Sequence, residues 1–138
     1  MLIENWHGSC MFWFLPEEIV CKIHEDQINL YGGLHGIRDR SRLDASINAP
    51  KAQFGGAFLH PSIFHMAAAY GFGISENQPF LDGNKRTAGM VMLTFLLING
   101  FEAVASEEDY YKIIMAVANK QMSQDQLAQW LKDSVVKI

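Results

Sequence analysis

The stretch Asn77-Gln-Pro-Phe-Leu-Asp-Gly-Asn-Lys-Arg-Thr87 is the most polar and most Gly/Pro-punctuated part of the middle of the chain. It lies between the two most apolar parts, residues 63–74 and 88–98. Loops held by rigid helices are where binding and catalytic groups concentrate. A helix beginning near Asn84 leaves the backbone N–H groups of Gly83, Asn84, Lys85 and Arg86 without intrahelical acceptors. Those donors, the positive end of the helix dipole and the charges of Lys85 and Arg86 together make an anion site. Asp82 is the one carboxylate in the stretch, placed to hold a magnesium ion against phosphate oxygens. Phe80, apolar among polar neighbours, is expected to anchor the loop in the core. A divalent cation beside a helix-end anion site is the equipment of phosphoryl or nucleotidyl chemistry. The same residues also read as a plain Asp-Gly-Asn turn followed by solvated basic side chains. No Gly-x4-Gly-Lys-Ser/Thr phosphate loop occurs in the chain.

Composition narrows the setting. A chain of 138 residues with 49% hydrophobic and 19% charged content describes one globular domain with its own core. A net charge of -4 and the lack of a basic run argue against direct nucleic-acid binding. Cys10 and Cys21 form neither a metal spacing nor a disulfide framework, and Cys21 is expected to be a buried apolar side chain. The N-terminus lacks a basic leader region, and the apolar run 88–98 is about half the length of a membrane span. A soluble cytoplasmic protein without membrane contact is the expectation.

The elements that must position the polar stretch read as helices. Residues 1–13, with Trp6, His7, Phe12 and Trp13, show no period that assigns them, and one domain is expected over 14–138. Pro16, Glu17 and Glu18 open a helix over 16–30 in which Ile19, Val20, Ile23, Gln27 and Leu30 recur at helical spacing. Gly32-Gly33 stops it, and His24 is expected at its surface or edge. Residues 32–39 form a Gly-rich connection in which Arg38 and Asp39 make local bonds. Asp39 or Ser41 caps a short helix carrying Leu43, Ala45 and Ile47, which Pro50 ends. Residues 51–59, with Gly55-Gly56, form a loop or a small flap hairpin.

Pro61, with Leu59 or His60 near the cap, opens a helix over 63–74 that is apolar almost all round and so should be buried. His65 on it reads as a satisfied core histidine. The helix after the polar stretch stops at Asn99-Gly100, and 101–105 is a short extended link. Ser106 and Ser123 each begin a capping-box pattern. The helices that follow carry Tyr110, Ile114 and Val117, then Leu127, Trp130, Leu131 and Val135. The expected fold is all-α: about six helices around one very apolar central helix, without alternating strands.

The stretch from Gln78 to Thr87 closely resembles the signature of the Fic/Doc (Fido) family, His-x-Phe-x-Asp/Glu-Gly-Asn. Ile23-His-Glu, Tyr31-Gly-Gly-Leu-His-Gly-Ile-Arg-Asp39, Leu43 and Phe95-Leu-Leu-Ile-Asn-Gly100 resemble its Doc (death-on-curing) branch, over roughly residues 14–132. The Fic branch continues Gly-Asn-Gly-Arg-x-x-Arg and transfers AMP. Here Lys85 replaces the second glycine, and Gly89 stands where the second arginine would be.

The resemblance therefore implies a Doc-like toxin of a toxin–antitoxin pair. Its activity would be kinase-type transfer of the γ-phosphoryl group of ATP, with Mg2+, to a threonine of a translation factor, elongation factor Tu. An antitoxin would silence it in trans, and no Ser/Thr-x-x-x-Glu-Gly/Asn inhibitory segment is found in the chain. Carried over by position, Asp82 is the metal ligand, and Gly83, Asn84, Lys85 and Arg86 bind phosphates. Phe80 anchors the loop, the catalytic set is Gln78, Asp82 and Arg86, and the acceptor docks along the flap at 53–59.

Gln78 departs from the pattern, because the family's general base at this position is a histidine. An imidazole with a pKa near ~6.5 can take a hydroxyl proton at neutral pH, whereas a carboxamide can only orient the hydroxyl. Three readings follow: an inactivated enzyme, a transfer loose enough to need little base, or replacement of the base by His65 or His35. Impaired catalysis with binding retained is the favoured one. An AMP transferase and a catalytically inactive binder of nucleotide or antitoxin are the alternatives.

Overall fold

The computed structural model describes residues 2–4 and 11–138, with side chains from residue 12 onward; Trp6, His7 and Cys10 lie outside the described residues. Six helices form the domain among those residues: α1 (Glu17–Tyr31), α2 (Arg40–Asn48), α3 (Ile63–Asn77), α4 (Asn84–Ile98), α5 (Glu107–Ala118) and α6 (Gln124–Asp133). The all-α expectation holds, with α3 at the centre. Residues Met66 to Tyr70 and Ile74 of α3 are almost fully buried, and α2, α4, α5 and α6 all pack against this helix. A helix apolar on every side can only be satisfied in this way. Tyr70 reaches the N-terminal segment, where its hydroxyl accepts from Leu15 N–H at 3.1 Å, and burial pushes its phenol up to about 12.

Three short antiparallel pairs complete the fold. β1 (Leu2–Glu4) pairs with β2 (Met11–Trp13), β3 (Gln53–Phe54) with β4 (Ala57–Phe58), and β5 (Phe101–Ala103) with β6 (Val135–Lys137). The middle pair is the flap hairpin; its Gly55-Gly56 turn has φ of 59° and 81°, and Phe54 at its tip is 84% exposed. The last pair corrects the C-terminal reading. Val135 is not on α6 but pairs with Ala103, because Ser134 closes the helix and turns the chain back. Phe12 and Trp13, unassigned from sequence, dock on the domain. The Phe12 ring meets Phe58 edge-on at 5.6 Å, and Asn99 exchanges two hydrogen bonds with the backbone of Trp13.

Helix ends follow local chemistry closely. Asp39 caps α2 by accepting from Arg42 N–H, and both capping boxes form, at Ser106 with Asp109 and at Ser123 with Gln126. The cap of α3 is Ser62, not Leu59 or His60, and its Oγ accepts from His65 N–H at 3.2 Å. His65 is therefore a first-turn residue with its side chain 38% exposed, not a core histidine. Cys21 is half-buried rather than buried, and desolvation followed by the nearby Glu17 raises its thiol pKa. On α1 the buried stripe is Val20, His24, Gln27 and Ile28, while Ile19 and Leu30 face solvent. This rotation puts His24 inside the protein. Among the described residues no helix is long and apolar enough to cross a membrane.

Candidate functional site

The polar stretch forms the turn from α3 into α4, and a second segment 40 residues earlier holds it in place. Gln78 ends α3 in the left-handed region (φ 48°, ψ 59°), its N–H on Ile74 O. The last turn of α3 has no basic residue of its own. Arg38 supplies the charge instead, donating from Nε to Gln78 O at 2.8 Å and from Nη2 to Asn77 O at 3.1 Å, and Arg42 adds a bond to Asn77 O. The expectation of local bonds for Arg38 is thus corrected: it serves a distant helix end. Residues 36–39 run antiparallel to 79–81, with Arg38 and Asp39 N–H on Pro79 O and Leu81 N–H on Gly36 O.

Beneath this pairing Phe80 is buried and stacks on the His24 imidazole at 3.9 Å. The His24 ring donates from Nε2 to Asp82 O at 2.8 Å, so it fixes the loop from below. Burial lowers the His24 pKa below 6.5, opposed only in part by the Asp82 carbonyl. A lowered folded-state value means the unfolded chain takes up the proton first as pH falls. Stability is then complete above about pH 6.5 and is lost as pH falls through the folded value. Thermal melts between pH 7.5 and 5.5 are expected to show this slope in the wild type and a shallower one in His24→Gln.

Asn84 brackets the loop from the other side. Its Oδ1 accepts from Phe80 N–H and its Nδ2 donates to Phe80 O, each at 3.0 Å. The side chain is thus spent on the loop, and what Asn84 offers outward is its backbone N–H. Asn84→Ala strands both Phe80 groups and is expected to lower the unfolding free energy by about 1–3 kcal/mol. Urea titration should find Asn84→Asp, which keeps one of the two bonds, between the alanine variant and wild type.

Gly83 precedes α4 with φ 75°, and a Cβ there would lie 2.9 Å from Ile28 Cδ1, so a larger residue would carry backbone strain and push the Ile28 side chain aside. Thr87 makes the first intrahelical bond, to Gly83 O; among the described residues the N–H groups of Asn84, Lys85 and Arg86 meet no acceptor. They border a cavity of ≈ 370 Å³ that Gln78, Asp82, Lys85 and Arg86 also line. Lys85 has no counter-ion among the described residues. Asp82 Oδ2 accepts from Leu34 N–H at 2.7 Å, which aims the carboxylate and leaves its other oxygen uncommitted. Arg86 is held by the Tyr31 and Tyr111 rings and by Glu108. Such a pocket can accept a multiply charged anion at a helix end, with one carboxylate beside it.

Gln78, Phe80, Asp82, Gly83, Asn84, Lys85 and Arg86 are thus brought together. His65 is not, since it sits about 20 Å from Gln78 at the opposite end of α3. Sequence reasoning gave no site role to His24, Arg38, Tyr31 or Tyr111. His24 was legible as the residue four after Val20 on the buried stripe; Tyr31 and Arg38 fall in a segment that resembles the family, and Tyr111 has no local signal.

Comparison with known proteins gives the family. The model of the Fic/DOC family matches residues 14–96. A protein named Toxin Doc from Mycolicibacterium smegmatis is 39% identical over 75 residues, which are 54% of this chain and 58% of that protein, less than two thirds of its length. One named Protein kinase doc from Escherichia phage P1 is 34% identical over 93 residues, 67% of this chain and 72% of that protein. The chain belongs to the Fic/DOC family, on its Doc branch.

Proposed function

We propose that the protein is a Doc-like toxin that binds Mg-ATP in the cavity at the start of α4 and directs the γ-phosphoryl group to a hydroxyl of a translation factor. The observation that carries this reading is the start of α4, whose first N–H groups meet no acceptor among the described residues and whose residues line one cavity with Asp82. Magnesium fits the donors present. It keeps several waters and takes one or two carboxylates plus substrate phosphates, and Asp82 offers one carboxylate already oriented by Leu34 N–H. When bound, the ion would neutralise charge on the transferring phosphates. The chain itself cradles the phosphates on α4 and supplies positive charge from Lys85.

Position 89 supports the kinase sense over AMP transfer. A Cβ on Gly89 would meet the Tyr110 backbone at 3.4 Å, so this point of α4 is covered by α5 and carries no arginine toward the cavity. The names of the two relatives, a toxin and a protein kinase, support a toxin with a protein as the phosphate acceptor; a cytoplasmic location and a separate antitoxin that restrains it belong to the same proposal. The acceptor would approach Gln78, which is exposed at the cavity.

Gln78 also favours a second reading, a catalytically inactive protein that binds nucleotide or antitoxin. Incubation of wild type and Gln78→His with a bacterial lysate and ATP labelled at the γ or the α phosphate separates the readings. Transfer of γ label alone, strongest with histidine, is expected. Transfer of α label would establish AMP transfer instead, and no transfer by either protein would leave the binder.

A further inference from the structure

Arg86 is held unusually for a residue beside an anion cavity. Its Cζ lies 3.8 Å from the ring centroid of Tyr31 and 4.0 Å from that of Tyr111. Tyr31 is the last residue of α1 and Tyr111 lies in α5, so three helices meet at one guanidinium. With two aromatic rings packed on the cation, hydrogen bonding is left to the N–H groups that the rings do not cover. Nη1 donates to Glu108 Oε2 at 3.3 Å, and among the described residues no other group accepts from Arg86. Both tyrosines and Arg86 line the cavity with Lys85 and the start of α4.

The pair with Glu108 is too open to fix the arginine alone, since the glutamate side chain is 51% exposed and such pairs are screened. Two ring contacts, by contrast, restrict the guanidinium plane and suppress its rotamers. We infer that Tyr31 and Tyr111 are positioning residues that hold Arg86 at the cavity, so that its free N–H groups meet the oxygens of a phosphate chain. This inference rests on reading the cavity as a phosphate site, and it adds two residues that lie outside the polar stretch. A fixed planar fork suits paired phosphate oxygens, and a freely rotating arginine would lose freedom on binding.

Calorimetric titration with inorganic tripolyphosphate and with Mg-ATP tests it on wild type, on Tyr31→Phe/Tyr111→Phe and on Tyr31→Leu/Tyr111→Leu. The phenylalanine pair keeps both ring faces and is expected to bind within about twofold of wild type, the leucine pair about tenfold more weakly. The Arg86 Nε–Hε resonance, assigned by its loss in Arg86→Lys, gives a readout that general destabilisation would not move. It should be ring-current shifted in wild type and the phenylalanine pair, and ordinary in the leucine pair. Should the leucine pair fail to fold, Tyr31→Leu alone makes the same comparison, because Tyr31 is 52% exposed at a helix end. Equal affinity of wild type and the leucine variants overturns the clamp and leaves the phosphate site standing. A wild type that binds neither probe overturns the phosphate site and the clamp's purpose with it, and the resonance still reports whether the ring contacts form.

Discussion

Gln78→His is expected to raise γ-phosphoryl transfer by about 10²–10⁴-fold, the range a positioned general base contributes. The backbone at this position is already set by the surrounding structure. Gln78 sits in the left-handed region with its N–H on Ile74 O and its C=O on Arg38 Nε, and its side chain borders the cavity. Histidine is among the residues enriched at positive φ, so the exchange adds no strain that glutamine does not already carry. The substitution adds basicity and leaves the phosphate cradle alone, so ATP affinity should stay within about twofold while the rate rises. An imidazole acting as base also imprints a pH profile, with transfer falling as pH drops below about 6.5. Single-turnover transfer to purified elongation factor Tu, measured for both proteins across pH, checks all three points. Equal rates with no pH limb would mean that loose phosphoryl transfer proceeds here by positioning alone.

How far these features were legible depends on how local their causes are. The helices were readable because their causes lie within one turn: Ser106 with Asp109, Ser123 with Gln126, Gly32 after Tyr31. The polar stretch stood out by contrast with the apolar helices around it. What holds it was not readable. The pairing of Ile37 with Phe80 and the reach of Arg38 to Asn77 and Gln78 join segments about 40 residues apart. No spacing within either segment announces the other. The contact of Arg86 with the Tyr31 and Tyr111 rings draws on three helices and is invisible for the same reason. Asn84 shows a second kind of hidden role. Its backbone N–H was legible as a helix-start donor, whereas the two bonds by which its side-chain amide holds Phe80 were not.

Asp82 makes the sharpest separation between charge and scaffold. Asp82→Ala removes both the carboxylate and the acceptor that Leu34 N–H uses, while Asp82→Asn keeps an acceptor for Leu34 and removes only the charge. If the residue serves a magnesium ion, the two variants should fail alike. Addition of magnesium should then no longer tighten ATP binding, and the loss should exceed the roughly 10–100-fold typical of groups that merely support a metal ligand. If the residue only braces the loop, asparagine should bind as wild type and alanine alone should suffer. The electrostatics adds a second sign. Without magnesium the Asp82 carboxylate repels a phosphate chain at the start of α4, so both variants should hold inorganic tripolyphosphate at least as tightly as wild type in metal-free buffer. Weaker metal-bound and unweakened metal-free binding cannot both arise from a loosened loop, which would reduce the two together. Titrations with and without magnesium on the three proteins therefore decide whether Asp82 is a metal ligand. An asparagine variant that keeps the full magnesium effect would remove it from that role.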